Sequence, residues 1–428
     1  MIAGTFLMTY SDEPPIRVRV LVLGGGIHGC GVLHDLVSRG WNDVHLVEKS
    51  TIGSGTSSKS TKLIHGGLRY LQRMSDFGLV TEGLSERRLL MELAPDLVKP
   101  MEFLFPVIKQ AGMPRWMVKF GLSIYDKLAG RNRLGEHRVA SSDEVAFKAP
   151  QLDQDRCKIV YSFWDAQTDD LALVQRVAAS AHKLGATISE HLEVVQVEAN
   201  PDGWTVVVRK PDGSMHAISA LYVVNCLGPW ANLILEKSGI PPNYRGMNNK
   251  GAHLLLPDIG LKSGLFLQSL KADGRIFFML PWLGSTLVGT TEDLYTANPD
   301  LVGVDERDIE YLLDNCNQFL LQPLQRRDVK QVFAGLRWLA VEEGRGLSDT
   351  SRHYVLGERV SGRGLIITLY GGKLTAYRDL AESIGDRIST HFGEFKASGT
   401  AHRVNWASAS ESPKVLPIDQ RFASVPVL

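Results

Sequence analysis

Cysteine is scarce in this sequence. Only four occur in 428 residues, Cys30, Cys157, Cys226 and Cys316, and no two form a CxxC pair. That spacing speaks against a zinc site or a redox dithiol and leaves free buried thiols in a reducing compartment. No metal site is expected. An excess of charge of either sign is also missing, with Lys and Arg numbering 47 and Asp and Glu 47. A balanced chain offers no global field for nucleic acid, so none is expected as a partner. No apolar run is long enough to cross a bilayer. The opening MIAGTFLMTYSDEPP lacks a basic start followed by an apolar stretch. It does not read as a signal peptide, and Met8 is an alternative initiator.

What remains is an ordinary globular composition, 44% hydrophobic and 22% charged, in a chain long enough for two or three structural units. Ile16 to Leu23 reads IRVRVLVL, a buried strand of a parallel sheet. It runs into Gly24-Gly25-Gly26. From Ile27 to Arg39, the residues Val32, Leu33, Leu36 and Val37 share one helical face, and Gly40 stops the helix. A second strand, Val44 to Val47, ends at Glu48. Inside this strand–helix–strand unit lies Gly24-x-Gly26-x-x-Gly29. Gly24 permits the tight turn, Gly26 lets the backbone approach a pyrophosphate, and Gly29 lets the helix pack closely on the strand. Ile27 opens the helix, whose free amides and partial positive charge suit phosphate. Glu48 stands 19 residues beyond Gly29, where its carboxylate can accept from adenosine ribose hydroxyls. It would repel a 2′-phosphate, which disfavours NADP. Strand, helix, second strand and acid together specify dinucleotide binding, where a lone GxGxxG would not.

Residues 53–70, GSGTSSKSTKLIHGGLRY, separate a flavin from a nicotinamide nucleotide. Small and hydroxylated residues dominate before Gly66-Gly67. Such a stretch can wrap a large cofactor, offering hydroxyl and backbone donors to phosphate and ring edges. A nicotinamide domain would continue with simple strand–helix alternation. Leu63, Ile64 and Leu68 argue against a freely solvated loop.

With these residues in view, the chain resembles the FAD-dependent glycerol-3-phosphate dehydrogenase family. The matching segments are GGGIHGCG at Gly24–Gly31, GTSSKSTKLIHGGLRYL at Gly55–Leu71 and NCLGPWA at Asn225–Ala231. Further on come PWLGSTLVGTTED at Pro281–Asp293, AGLRWL at Ala334–Leu339, SRHYVL at Ser351–Leu356 and YGGKLTAYR at Tyr370–Arg378. They follow the family's order and span residues 17 to 390. The STKLIHGGLRYL and GGKLTAYR segments are specific to this family and its close relatives; the glycine loop alone is not.

The resemblance implies an α/β fold with a Rossmann-like FAD-binding domain of the glutathione-reductase type and an inserted α+β substrate-binding cap domain. The expected division is 17–100 for the first part of the FAD domain and 101–150 for a cap or helical insertion. Then come 151–240 for its second part with a β-meander, 241–335 for the cap sheet, 336–395 for its last part and 396–428 for a tail. The chain's own patterns agree. From Leu192 to Val224, apolar strands are broken by Pro201-Asp202-Gly203 and Pro211-Asp212-Gly213 turns, and Leu221 to Asn225 is a returning strand. Ile276 to Thr290 suits a cap sheet, and Leu365 to Leu369 a further strand. Gly371-Gly372 leads into a helix bearing Leu374, Leu380 and Ile384, whose positive N-terminal end would favour reduced, anionic flavin. Family members carry an additional C-terminal helical domain. Here Pro413 to Leu428 reads as a loop-rich tail, so contacts made through that domain are not expected to carry over, and the oligomeric state is left open.

FAD is the implied cofactor, held by Gly24, Gly26, Ile27, Gly29, Glu48, Thr56, Ser57, Ser58, Lys62, Leu63, Gly228, Gly372, Leu374 and Thr375. The implied reaction oxidises the secondary alcohol of sn-glycerol 3-phosphate to dihydroxyacetone phosphate. A hydride must leave C2 for the flavin and the hydroxyl proton must go to a base. His253, in NKGAHLLLP, matches the family's substrate-side histidine, and imidazole titrates in the range a general base needs. From the residues alone, a lone His beside Leu254, Leu255 and Leu256 is more often a satisfied core residue. Arg337 matches an active-site arginine able to hold the reacting oxygen and stabilise alkoxide charge. Lys373 is the third catalytic candidate, on phosphate or flavin. Arg352 is assigned mainly to phosphate, and Arg69 and Tyr70 line the same pocket. Which of His253 and Arg337 takes the proton stays open. The hydroxyls and acids of Gly289-Thr290-Thr291-Glu292-Asp293 order the cap rather than react.

Reduced flavin must pass its electrons on, to a quinone or to oxygen. Met113 to Arg133 reads MPRWMVKFGLSIYDKLAGRNR and has two readings. It is a basic amphipathic helix lying on an anionic bilayer, or Trp116, Phe120, Ile124 and Leu128 form a stripe packed on the core. The expected location is the cytoplasm, with or without peripheral contact to the inner face of the cytoplasmic membrane. Two rival functions stand beside the first. One is a soluble flavin oxidase that makes hydrogen peroxide from another hydroxy acid or amine. The other is an FAD-binding redox sensor or scaffold, against which the joint presence of His253, Arg337, Arg352 and Lys373 argues.

Overall fold

The computed structural model describes residues 16–68, 71, 77–108, 113–271, 274–340, 353–394 and 396–411. Arg69, Tyr70 and Arg352 lie outside the described residues, as do the first fifteen residues and the expected C-terminal tail from 412 onward. The chain opens with β1 (Ile16–Leu23), α1 (Ile27–Ser38) and β2 (Val44–Val47). Then follow β3 (Leu63–Ile64), α2 (Phe77–Leu93), β4 (Val98–Val107), α3 (Arg115–Ala129), β5 (Arg138–Val139), α4 (Ser142–Lys148) and β6 (Ile159–Thr168). α5 (Asp170–Lys183) leads to β7 (Thr187–Ser189), and the meander β8 (Glu193–Asn200), β9 (Gly203–Arg209) and β10 (Met215–Asn225) comes next. After α6 (Ala231–Lys237) the strands are β11 (Gly246–Pro257), β12 (Gly264–Gln268), β13 (Ile276–Trp282), β14 (Ser285–Gly289) and β15 (Asp293–Tyr295). α7 (Glu306–Asn317), β16 (Gln331–Ala340), β17 (Val355–Ser361), β18 (Gly364–Tyr370) and α8 (Tyr377–Phe392) complete the order.

These strands form two sheets. In the first, β1 lies between β10 and β2, parallel to both, with β18 beyond β10 and β7 beyond β2. Val20 to Leu23 are fully buried, because a parallel strand covered on both faces has no polar side. Helices α1, α5 and α8 cover one face, where Leu33, Leu36, Val177 and Ile384 pack with Val20 and Val22. The meander and α6 cover the other, joining Trp204, Val206 and Leu235 to Leu21 and Leu23. The second sheet runs β15-β11-β14-β13-β12-β4-β6-β3, with β16 on β11 and β5 on β6. Helix α7 packs on one of its faces, with Ile309 and Leu312 against Leu254 and Leu256. Helices α2 and α3 pack on the other, with Val80 and Leu122 beside Phe103, Phe163, Leu255 and Phe333.

The expected α/β architecture of two units is present, but its division along the chain differs. β6, assigned to the FAD domain, pairs along its length with β4 in the second sheet. The boundary drawn between 335 and 336 falls inside β16, which pairs with β11 from Gln331 to Ala340. Antiparallel register joins segments far apart in sequence, and local pattern does not encode that choice.

Two local expectations also change. The helix after Gly371-Gly372 begins at Tyr377, so Leu374 sits in the turn before it. In α3 the buried residues are Val118, Leu122, Tyr125 and Ala129. Trp116 and Phe120 of the expected core stripe are 67% and 62% exposed. Tyr125 decides this rotation: its hydroxyl donates to buried Asp165 at 2.8 Å and turns its own stripe inward. Leu122→Ala should therefore cost about 2–5 kcal/mol of stability as a buried truncation, whereas Trp116→Ser should stay within about 0.5 kcal/mol. Chemical denaturation of both variants measures the contrast.

Candidate functional site

The glycine loop is built as its spacing requires. Gly24 adopts φ +99°. A Cβ at Gly29 would lie 1.9 Å from the Gly24 carbonyl oxygen, so only glycine lets α1 close on β1. Glu48 accepts from Gly25 N at 2.7 Å and from Ser50 N at 2.8 Å, which fixes its carboxylate at the rim of the loop. Ser57 Oγ accepts from Ile27 N at 2.9 Å, bringing the 56–58 turn onto the first turn of α1. Gly228, with φ +56°, follows β10 on the same edge. The buried Nε2 of His28, beside Gly372, has no hydrogen-bond partner. A tight glycine turn leading into a helix start whose cap residue, Gly26, offers no side chain, with an unpartnered buried nitrogen nearby, fits a bound dinucleotide.

The hydroxyl-rich loop is anchored from beneath. Lys62 Nζ donates to Asp170 at 2.7 and 2.8 Å and to Ser58 O at 2.6 Å, with both charged side chains at most 1% exposed. Ser60 adds its hydroxyl to Asp170 at 2.7 Å. The Lys62 ammonium, on a residue expected to be cofactor-binding, is bonded to Asp170 and Ser58 and so shapes the loop. Ser58 and Leu63 are likewise buried, whereas Thr56 donates to Leu336 O at 3.0 Å. That bond carries the loop to β16.

β16 is where the site gathers. The segment Gly335–Trp338 meets the Thr56 turn, the Lys59 side chain above Gly335, and Gly371 of the β18–α8 turn. Across the ladder, Arg337 opposes Asn249 and Phe333 opposes His253. A Cβ at Gly251 would lie 2.4 Å from both Arg337 Nη2 and Thr290 Oγ1, and one at Gly289 only 2.1 Å from His253 Cδ2. These two glycines leave the space that the guanidinium and the imidazole occupy. His253 stacks on Phe333 at 4.8 Å and 11°, and its Nε2 faces Thr61 Oγ1 at 2.9 Å. Burial, then the charges of Lys62 and Arg337, push its pKa well below the ordinary value. At neutral pH it is an uncharged imidazole. Burial also lowers Lys59 to about 8.

The structure thus brings His253, Arg337 and the Thr56–Leu63 loop together, and sets the Gly372–Thr375 turn against the same strand through Gly371. Thr61, Lys59 and Asn249 stand there too and were not singled out in the sequence, and Thr290, expected only to order the cap, joins them over Gly251. The glycine inside NKGAHLLLP was the available signal, since an interior strand glycine marks a close approach. All four cysteines are free and buried, and burial raises Cys157 and Cys226 to about 12, so they are inert thiols. Among the described residues no group of acids, histidines and cysteines could hold a metal, and no helix is long and apolar enough to cross a membrane.

The family profile described as FAD dependent oxidoreductase (DAO) matches residues 19–378. D-erythritol 1-phosphate dehydrogenase of Brucella abortus (strain 2308) is 36% identical over 390 residues, covering 90% of this chain and 76% of that protein. Glycerol-3-phosphate dehydrogenase of Pseudomonas tolaasii is 35% identical, covering 89% and 73%. Among solved structures, glycerol-3-phosphate dehydrogenase from Bacillus halodurans complexed with FAD superposes with a TM-score of 0.73 at 26% identity, covering 92% of this chain and 69% of that one.

Histidine burial sets a pH dependence of stability. Burial takes His28 and His34 from 6.5 to about 4 and lowers His253 too. Neutral in the fold, these groups contribute fully above 6.5, and their contribution is lost as pH falls from there toward about 4. Each should steepen the acid-side loss by about 1.4 kcal/mol per pH unit. Urea unfolding across this range should show a shallower slope for His34→Gln than for the parent chain.

Proposed function

The chain belongs to the FAD-dependent oxidoreductase family that includes the glycerol-3-phosphate dehydrogenases, and from that premise we propose that it oxidises sn-glycerol 3-phosphate to dihydroxyacetone phosphate. The observation that carries this reading is that Arg337 and His253 stand on the neighbouring strands β16 and β11, near enough for the guanidinium charge to act on the imidazole, with His253 bonded to Thr61 of the cofactor loop. The glycine loop, Glu48 and the Thr56–Ser58 turn hold FAD. Bound FAD supplies the hydride acceptor for C2. Arg337 binds the oxygen on C2 and stabilises its developing negative charge. His253 accepts the hydroxyl proton at Nε2, the nitrogen now bonded to Thr61, and Phe333 keeps the ring flat and shielded from water. Lys373, with Arg69, Tyr70 and Arg352, holds the phosphate.

D-erythritol 1-phosphate, the substrate in the name of the Brucella relative, is the second reading, since it presents the same hydroxyl and phosphate chemistry on a longer chain. Anaerobic addition of each substrate to the flavoprotein separates them: the true substrate bleaches the flavin band with the larger kcat/KM. Arg337→Ala should lower the rate by at least about 100-fold, as for a lost charge-stabilising donor, with FAD still bound. Bleaching by neither compound, or full activity in Arg337→Ala, refutes the assignment.

The electron acceptor is a quinone reached at a membrane surface. Supporting this, α3 exposes Trp116, Met117 and Phe120 beside exposed Lys119, Lys127 and Arg131, apolar and basic together as a peripheral lipid contact requires. The chain should float with phosphatidylglycerol vesicles and much less with phosphatidylcholine. Trp116→Ser with Phe120→Ser should abolish flotation while flavin reduction persists; unchanged flotation would exclude this face.

A further inference from the structure

We propose that Thr291 and Asp308 are positioning residues that fix the Arg337 guanidinium from the opposite face of the cap sheet. The inference rests on the role given to Arg337 above.

β11 divides its side chains between two environments. Ala252, Leu254 and Leu256 pack toward α7, while His253 and Leu255 lie on the Phe333 side. Arg337 is reached from the α7 side through Thr291. The Thr291 carbonyl accepts from Arg337 Nη2 at 3.4 Å and from Thr290 Oγ1 at 3.0 Å. These donors fill the notch over Gly251 together, so that carbonyl is one of the contacts that place the guanidinium.

Thr291 is clamped on its other sides. Its hydroxyl accepts from Ala252 N at 3.0 Å and donates to Asp308 Oδ1 at 2.9 Å, and its amide donates to Ala252 O at 3.3 Å. Asp308 Oδ2 accepts from Lys250 Nζ at 2.7 Å and from Asp305 N at 3.1 Å. Thr291, Asp308 and Lys250 are 2%, 3% and 7% exposed. A capping acid in the first turn of α7 needs only its own helix. This one reaches sideways to a strand lysine and a loop hydroxyl, and so holds the loop between β14 and β15 at a fixed height above β11. A buried network with every member bonded is rigid, and rigidity is what a charge-stabilising group requires.

Thr291→Val removes the hydroxyl and keeps the shape. It should lower kcat for flavin reduction about 10- to 100-fold with a smaller change in KM, as for misplacement of a group acting in the transition state. Thr291→Ser should restore most of the rate. In an Arg337→Lys background the Thr291→Val loss should shrink to under about 3-fold, since a positioning residue acts through its target. Asp308→Asn should follow Thr291→Val; if it fails to fold, the threonine pair carries the test. A lowered Tm with unchanged kcat in Thr291→Val would make the network a structural brace only and overturn the proposal. An equal loss in both backgrounds would overturn it as well. If Arg337→Ala itself reduces flavin at the parental rate, the role of Arg337 falls and this inference falls with it, an outcome distinct from both others.

Discussion

Lys62 and Asp170 meet where the two sheets join, both withdrawn from water. Asp170 opens α5, one of the helices on the first sheet, and Lys62 ends the loop that crosses toward β16. Removing either partner would leave a buried charge, a loss on the order of 3–5 kcal/mol. The pair therefore does more than add stability. It determines the path of Thr56 to Leu63, including Lys62 itself at φ +61°. Two of the loop's hydroxyls thereby land on Ile27 N and Leu336 O. The glycine-loop edge and β16 are both tied to this one loop, and the ion pair is its buried anchor.

Around this join, absent side chains matter as much as present ones. Gly29 permits α1 to close on β1, Gly251 makes room for Arg337 and Gly289 for His253. In each case an added methyl would collide with backbone or with the Arg337 or His253 side chain. Close packing leaves no slack for such a group. The crowding has an electrostatic result: His253 is pressed between Phe333 and the Gly289 strand, dry and beside two cations, and stays uncharged.

The cap sheet supplies stiffness from outside the site. α7 packs its apolar face on β11 while its first turn reaches Thr291 and Lys250. The helix that completes the core thus also anchors the loop bearing Thr290. The same sheet carries α3 on its other face, with Trp116 and Phe120 left outside.

The sequence by itself determined the dinucleotide unit, because that unit is local. β1, α1 and β2 are consecutive, and their glycines and Glu48 act within one span of chain, so spacing alone reports their geometry. The family motifs likewise marked out the segments around the loop, Arg337 and Gly372, without the strand and turn that carry the last two. The tertiary structure decided what depended on partners far away in the chain. It committed Lys62 to Asp170, 108 residues on, and paired β6 with β4 in the cap sheet. It turned α3 so that Tyr125 faced Asp165 instead of presenting Trp116 to the core. Helix periodicity states that an apolar stripe exists; which of two stripes is buried depends on the polar partner waiting beneath it, and that partner arrives only when the chain folds.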